Sequence, residues 1–400
     1  MIPYGRQTIT ETDIAAVEAV LRSDFLTQGP AVPRFEQAVA AQVGAAYGVA
    51  VNSATSALHL ACRALDLGPG DWLWTSPNTF VASANCARYC GAEVDFVDID
   101  PRTYNLSVEA LTAKLDSAER TGKLPKIVIP VHFAGQPCDM PAIHALSQRY
   151  GFKLIEDASH AIGARYTAPA PAAAGKQTLK VGACAHSDIT VFSFHPVKLI
   201  TTGEGGLATT NRPELAERMA RLRSHGITRD PSQMQAMPDD PALRAAADPW
   251  YYQQIELGYN YRMTDIQAAL GHSQLQRLDD YIARRQALAE RYDQRLADWP
   301  LQLPYRTPGY RSALHLYPIQ LANAEDRSSV FRALRDADIG VNVHYIPVHT
   351  QPDYQRLGFK HGDYPVAELY YSRALSLPLF PTLSEAQQDK VCSCLGKALA

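Results

Sequence analysis

Between Tyr47 and Glu156 short apolar runs alternate with helix-like stretches, and this alternation leaves the chain few folds to choose from. Tyr47 to Val51 reads as a strand, Thr55 to Leu65 as a helix, Trp72 to Thr75 as a strand and Phe80 to Tyr89 as a helix. Val94 to Val97 and Ile127 to Val131 are further strands, separated by a helix that carries Leu111 and Leu115. A helix over Ile143 to Tyr150 then leads into a strand from Lys153 to Glu156. Parallel strands need a crossover between them, so the rhythm predicts an α/β fold, a mainly parallel sheet covered by helices on both faces. At 400 residues the chain exceeds one typical core, so a smaller domain is expected beside the large one.

The flanking segments read as follows. Thr10-Glu11-Thr12-Asp13 starts a helix with Ile14, Val17, Val20 and Leu21 as its apolar stripe, and a second helix carries Phe35, Val39 and Val43. Thr167 to Gly175, rich in Ala and Pro, reads as an exposed loop, and Arg229 to Asp248 as a mobile excursion. A long helical region runs from Thr264 to about Leu296, with Arg284, Arg285, Glu290, Arg291 and Arg295 as its solvated face. Beyond Trp299-Pro300, strands over His315 to Leu321 and Val341 to Ile346 are expected. Helices near Ser328 to Ala337, Pro365 to Ala374 and Ser384 to Leu399 complete the smaller domain. The expected division is 1–260 for the N-terminal segment and large domain, and 261–400 for connecting helices and the small C-terminal domain.

Charge and cysteine usage narrow the function classes. A net charge of -3 offers no electrostatic footprint for nucleic acid or an anionic membrane. No span reaches transmembrane length, and Met1 to Gln7 has no apolar secretory core. Seven cysteines without regular spacing suit a reducing cytoplasm rather than a disulfide framework. Cys86 and Cys90 read as packing residues, and the twelve histidines show no ligand spacing, so no metal is expected.

The chemistry gathers where strands should end. Ile189 to Phe194 is apolar on both parities, as a strand buried on both faces would be. It runs into His195-Pro196-Val197-Lys198, and then through Leu199 to Gly206. A lysine just past a buried strand has its pKa lowered by desolvation and becomes a nucleophile; the other reading is a surface lysine on a turn. Ser53, Ala54 and Thr55 open a helix after the first strand, where backbone N–H groups can hold a phosphate or simply be capped. Asp157 follows a strand, where a carboxylate can pair with a buried cation such as a protonated pyridine nitrogen, or cap the next segment. His160, three residues on, could face the same ring or be a satisfied core histidine. Phe80 could stack on a planar ring or belong to the core.

Taken in order, these residues resemble fold type I pyridoxal phosphate enzymes, and within them the sugar aminotransferases of the DegT/DnrJ/EryC1/StrS family. The resemblance covers nearly the whole chain. Its most specific pieces are Ser53 to Leu58, Glu156 to Ala161, Ser193 to Lys198, and Gly258 to Asp265. It implies a homodimer with shared active sites that takes a nucleotide sugar and an amino donor, expected to be glutamate, with pyridoxal 5'-phosphate as cofactor. Lys198 would hold the cofactor covalently and move the proton. Asp157 would bind its ring nitrogen, with His160 near the ring hydroxyl, where many members carry Gln. Phe80 would stack on the ring; Ser53, Ala54, Thr55 and Ser193 would hold the phosphate; Asn260 would reach the phosphate of the neighbouring subunit. Tyr4, the loop Asp24, Phe25, Leu26 and Thr27, and the strand Leu314, His315, Leu316 and Tyr317 would line the sugar pocket. Phe25 to Gly29, Asn52 to Thr55, His315 to Pro318 and Val343 to Pro347 resemble one branch more closely. That branch aminates the C4 ketone of a UDP-linked 4-keto-6-deoxy-N-acetylhexosamine in pseudaminic acid biosynthesis. The resembling dehydratase branch has His in place of Lys, so Lys198 argues against it. A nucleotide-binding module without turnover is the reading from another class, but Gly203-Glu204-Gly205-Gly206 lacks the dinucleotide spacing.

Overall fold

The computed structural model of the protein describes residues 1–170, 175–235 and 248–399. Helices α1 (Glu11–Leu21) and α2 (Ala31–Val43) come first. The alternating part follows: β1 (Tyr47–Val51), α3 (Ala54–Ala64), β2 (Trp72–Thr75), α4 (Ala82–Tyr89), β3 (Glu93–Phe96), α5 (Val108–Thr121), β4 (Ile127–Ile129), α6 (Met140–Tyr150) and β5 (Lys153–Asp157). A hairpin of β6 (Arg165–Pro169) and β7 (Lys176–Lys180) precedes β8 (Ile189–Ser193), β9 (Gly206–Thr210) and α7 (Pro213–Leu222). Two short strands, β10 (Ile227–Thr228) and β11 (Gln253–Gln254), lead to α8 (Asp265–Leu275) and α9 (Leu278–Leu296). The C-terminal part holds β12 (Leu301–Gln302), β13 (Tyr317–Leu321), α10 (Arg327–Asp336), α11 (Pro352–Gln355), α12 (Pro365–Arg373), β14 (Ala374–Leu377) and α13 (Glu385–Leu399).

The large sheet has seven strands in the order β1-β9-β8-β5-β4-β2-β3. Every pairing from β8 to β3 is parallel, whereas β9 runs antiparallel to both β1 and β8. The ends of β1, β5 and β8 therefore meet the start of β9 at one edge of the sheet, where open α/β sheets hold their ligands. Both faces of the sheet are covered. In β8, Ile189 and Val191 pack into one apolar layer and Phe192 into the other, which is why that strand is apolar on both parities. Burying a side chain such as Phe192 contributes about 1.5–3 kcal/mol.

A third core joins the later turns of α9 (Leu288, Tyr292, Leu296) to β13, β14, α10, α13 and Ile2. We propose the two-part organisation expected from the sequence, with α8 and α9 as connection; α8 itself carries Ala268 and Leu275 into the core of the large sheet.

Several expectations are corrected. The α1 stripe is not buried: Ile14 is 50% and Leu21 56% exposed. Asp13 is the buried residue of that helix, and it holds α1 on α8. It accepts from Ser273 Oγ at 2.6 Å and Gln274 Nε2 at 2.7 Å, and pairs with Arg277 at 2.6 Å. The loop expected over Thr167 to Gly175 begins instead inside the β6–β7 hairpin, its residues 171–174 lying outside the described residues. Of the excursion from Arg229 to Asp248, Pro231–Gln233 form a 3-10 turn, and 236–247 lie outside the described residues. The long helical region is two helices, because Arg277 leaves helical backbone with φ -108 and ψ 9. Val341 to Ile346 contribute one isolated bridge, Asn342 to Ser376, instead of a strand. Arg285 lies in the core at 1% exposure, not on a solvated face.

Candidate active site

Beyond Ser193 the chain leaves β8 and turns back into β9. The turn is tied by Thr202 N–H to Phe194 O at 3.0 Å, Thr201 Oγ1 to the same carbonyl at 3.0 Å, and Lys198 N–H to His195 O at 2.9 Å. This fixes Lys198 at the C-terminal edge of the sheet. Burial lowers its ammonium pKa to about 8, although the Asp157 carboxylate acts in the opposite direction. An amine with that pKa is free in useful amount near neutral pH, as a nucleophile or proton carrier requires.

Asp157 ends β5 and is buried. Ser83 of α4 donates to its Oδ2 at 2.6 Å, and the Ser159 N–H to its Oδ1 at 3.1 Å. Ser83 is itself buried and bonded to Thr79 Oγ1 at 2.8 Å. Each carboxylate oxygen thus has one donor and keeps acceptor capacity for another.

Three histidines surround this pair. His160 bonds Tyr345 Oη through Nε2 at 3.1 Å, and its Nδ1 is buried without a partner among the described residues. His315 lies with its ring 4.4 Å from that of His160, and its Nδ1 is likewise buried without a partner among the described residues. His344 bonds Ser376 Oγ at 2.8 Å and lies 5.5 Å from the Tyr4 ring. Burial, followed by the nearby positive charges, holds His160 and His315 well below the ordinary imidazole pKa and His344 at about 3. All three are therefore neutral at physiological pH. The Tyr345 phenol is pushed up by burial and by Asp157, so it keeps its proton. Phe80 stands 60% exposed, 6.4 Å from the Tyr345 ring, with its face available for stacking.

The start of α3 and the opening of β9 could cradle an anion beside this pair. Ser53 caps α3, accepting from the Ser56 N–H at 3.1 Å. Gly206 opens β9 opposite Val51 of β1 and Ser193 of β8. A Cβ on Gly206 would come within 2.5 Å of Ala54 N and Ser53 C. Only glycine lets β9 pass so close beneath the start of α3, and the register brings Ser53, Ala54, Thr55 and Ser193 together around it. A phosphate cradle, a buried carboxylate and a partly neutral amine fit a flat phosphorylated aldehyde with a basic ring nitrogen.

Other expected residues sit elsewhere. Asp24, Phe25, Leu26 and Thr27 are all exposed, and Leu26 O and Thr27 are tied to Asp265 and Thr264 at the start of α8. Leu314 and Tyr317 belong to the third core. Tyr317 stacks at 4.9 Å on Tyr292 and donates to Asp293 Oδ1 at 2.6 Å, because the strand begins only at Tyr317 and turns that ring inward. Leu316 packs in one layer of the large core, so of these four residues His315 is the one whose ring meets His160. Asn260 is exposed, while Tyr261 O next to it accepts the Asn52 N–H at 2.9 Å. Ser83, Gly206, Tyr345 and His344 were not singled out as site residues in the sequence. The available signals were Ser83 one helical turn after Thr79, and a glycine opening a strand.

The DegT/DnrJ/EryC1/StrS aminotransferase family matches residues 7–396. The spore coat polysaccharide biosynthesis protein SpsC of Bacillus subtilis is 41% identical over 396 residues, spanning 98% of this chain and 95% of that one. The structure of Helicobacter pylori PseC, an aminotransferase involved in the biosynthesis of pseudaminic acid, superposes with a TM-score of 0.87 at 29% identity, covering 100% of this chain and 99% of that one. Spr1654 of Streptococcus pneumoniae, solved in PLP and PMP forms, superposes with a TM-score of 0.85 at 28% identity; its PLP form is covered over 100% of both chains.

Proposed function

The chain belongs to the DegT/DnrJ/EryC1/StrS aminotransferase family, and from that premise we propose which reaction it performs. It is a pyridoxal-phosphate-dependent sugar aminotransferase. Its substrates on our reading are glutamate and a UDP-linked 4-keto-6-deoxy-N-acetylhexosamine, aminated at C4 for pseudaminic acid. The observation that carries this reading is the likeness to PseC over the full length of both chains. The 41% identity to SpsC supports a second reading, amination of another nucleotide-linked 3- or 4-keto sugar. The enzyme would act in the cytoplasm; no helix among the described residues is long and apolar enough to cross a membrane.

When bound, pyridoxal phosphate supplies the carbonyl that accepts the amino group and a ring that draws electrons from the reacting carbon. The chain supplies the rest. Lys198 would hold the cofactor through its amine and would serve as the base that moves the proton at the donor carbon, a role of the kind that contributes about 10²–10⁴-fold. Asp157, oriented by Ser83 and the Ser159 N–H, would keep a proton on the ring nitrogen. His160 would face the ring hydroxyl, Phe80 would cover the ring, and Ser53, Ala54, Thr55 and Ser193 would hold the phosphate. Tyr4 and His315 lie on the sugar side. The Asp24–Thr27 loop and Asn260, both exposed in one chain, would serve the site of a second copy in a homodimer.

A panel of UDP- and dTDP-linked keto sugars with glutamate, scored by the mass of the aminated product, tests the reading. Amination of the UDP-linked 4-keto-6-deoxy-N-acetylhexosamine is expected. A product formed only from a dTDP-linked or 3-keto sugar would replace the first reading with the second.

A further inference from the structure

Arg285 sits on the inward stripe of α9 with Ile282, Leu288 and Tyr292. No carboxylate among the described residues offsets its charge; burial lowers its pKa to about 10. Such a cation is a standing cost to folding, and an apolar residue would serve a core as well or better. What it touches is specific. Nη1 donates to three backbone carbonyls, Leu379 at 2.8 Å, Leu314 at 3.1 Å and His315 at 3.2 Å.

Those carbonyls belong to two segments of the sugar side. Leu314 has a φ of +51, a conformation uncommon for a branched side chain. Its N–H is held by Ser312 Oγ at 3.0 Å, and the next N–H, of His315, by Ala134 O at 2.9 Å. Ala134 is itself at φ +56. The elbow delivers the His315 ring against His160. Leu379 donates its N–H to Tyr4 O at 3.0 Å, which places Tyr4 near His344. One guanidinium therefore joins the elbow behind His315 to the strap behind Tyr4.

We propose that Arg285 is a positioning residue for the nucleotide-sugar pocket, locking the Leu314–His315 elbow and the Leu379–Tyr4 contact in register with each other. This rests on Tyr4 and His315 facing the sugar. Glutamate meets the cofactor beside Lys198 and Asp157, neither of which hangs on these carbonyls. His160, though its ring lies 4.4 Å from that of His315, is held by its own hydrogen bond to Tyr345. Arg285 therefore acts chiefly on the sugar half-reaction. Lysine can reach part of the same carbonyl set; methionine fills the space and reaches none.

The test uses the cofactor-loaded enzyme with Arg285→Met and Arg285→Lys, and the keto sugar that the wild type accepts. Cofactor absorbance, the single-turnover glutamate half-reaction and the KM for the nucleotide sugar are measured. Arg285→Met is expected to keep the spectrum and the glutamate half-reaction within about twofold while the sugar KM rises about tenfold or more; Arg285→Lys falls between. Equal loss in both half-reactions, or no change in either, overturns the proposal. Should Arg285→Met fail to fold, Arg285→Lys decides alone, since a sugar KM raised without change in the glutamate step is still required. The wild type in the same assay tests the sugar assignment, and the ratio of variant to wild type tests Arg285, so the two fail separately.

Discussion

In the cofactor-free protein Lys198 should attach added pyridoxal phosphate with a pH midpoint near 8. The lowering from 10.5 to about 8 leaves roughly one amine in ten neutral at pH 7, about 300-fold more than an ordinary lysine offers. The perturbation is Asp157→Asn. The Asp157 charge favours the ammonium, so its removal should move the midpoint below 8 and leave more neutral amine at pH 7. The assay is the initial rate of covalent attachment at subsaturating cofactor, followed by absorbance across the pH range. It is divided by the rate for a free lysine derivative to cancel titration of the cofactor. Borohydride fixation and peptide mapping then locate the label. His160, His315 and His344 are held neutral by burial, so these imidazoles should add no inflection near 6.5. A normalised rate without a midpoint near 8, a midpoint that rises in Asp157→Asn, or a label away from Lys198 would refute the reasoning.

Four further outcomes are expected. Asp157→Asn should bind cofactor but lose about 10²-fold or more in turnover, measured by steady-state kinetics, because on the proposed reading the carboxylate would hold the proton of the ring nitrogen. Gly206→Ala should weaken cofactor retention on dialysis while the thermal transition stays single, since the new methyl meets Ala54 N and Ser53 C within 2.5 Å. Asp13→Ala should cost about 3 kcal/mol in urea unfolding, because it strips the buried partner from Arg277 and leaves Ser273 Oγ unpaired, while Gln274 keeps its bond to Thr8 O. Burial pushes the Asp13 carboxyl up, but the hydrogen bonds from Arg277, Ser273, Thr10 and Gln274 together outweigh it and hold the pKa below its usual value; its contribution is thus present above the unfolded value of 3.8 and is lost as pH falls through the folded one. Mixed dimers of Asn260→Ala and Lys198→Ala chains should recover one working site, and activity no higher than either parent would contradict a shared site.

Local pattern reached much of this molecule. Alternation of period 2 and period 3.6 recovers the parallel strands and their helices, since those periods follow from backbone geometry alone. The apolar run of β8 announces burial on both faces, and Lys198 and Asp157 are found because each follows such a run. Long-range packing decided the remainder. No local signal tells that β9 runs against its neighbours, yet that reversal is what brings Gly206 under Ser53 and Ala54. Ser83 reaches Asp157 across 74 positions, and Arg285 meets Leu379 across 94. The Arg285 side chain reads as solvated by type and buried by period; the carbonyls that resolve the conflict come from distant segments. The stripe of α1 shows the converse, apolar by pattern and exposed in the chain, because a buried carboxylate holds that helix to α8. Residue type and spacing record what a segment prefers, whereas which groups become partners depends on chain that is remote in sequence and adjacent only after folding.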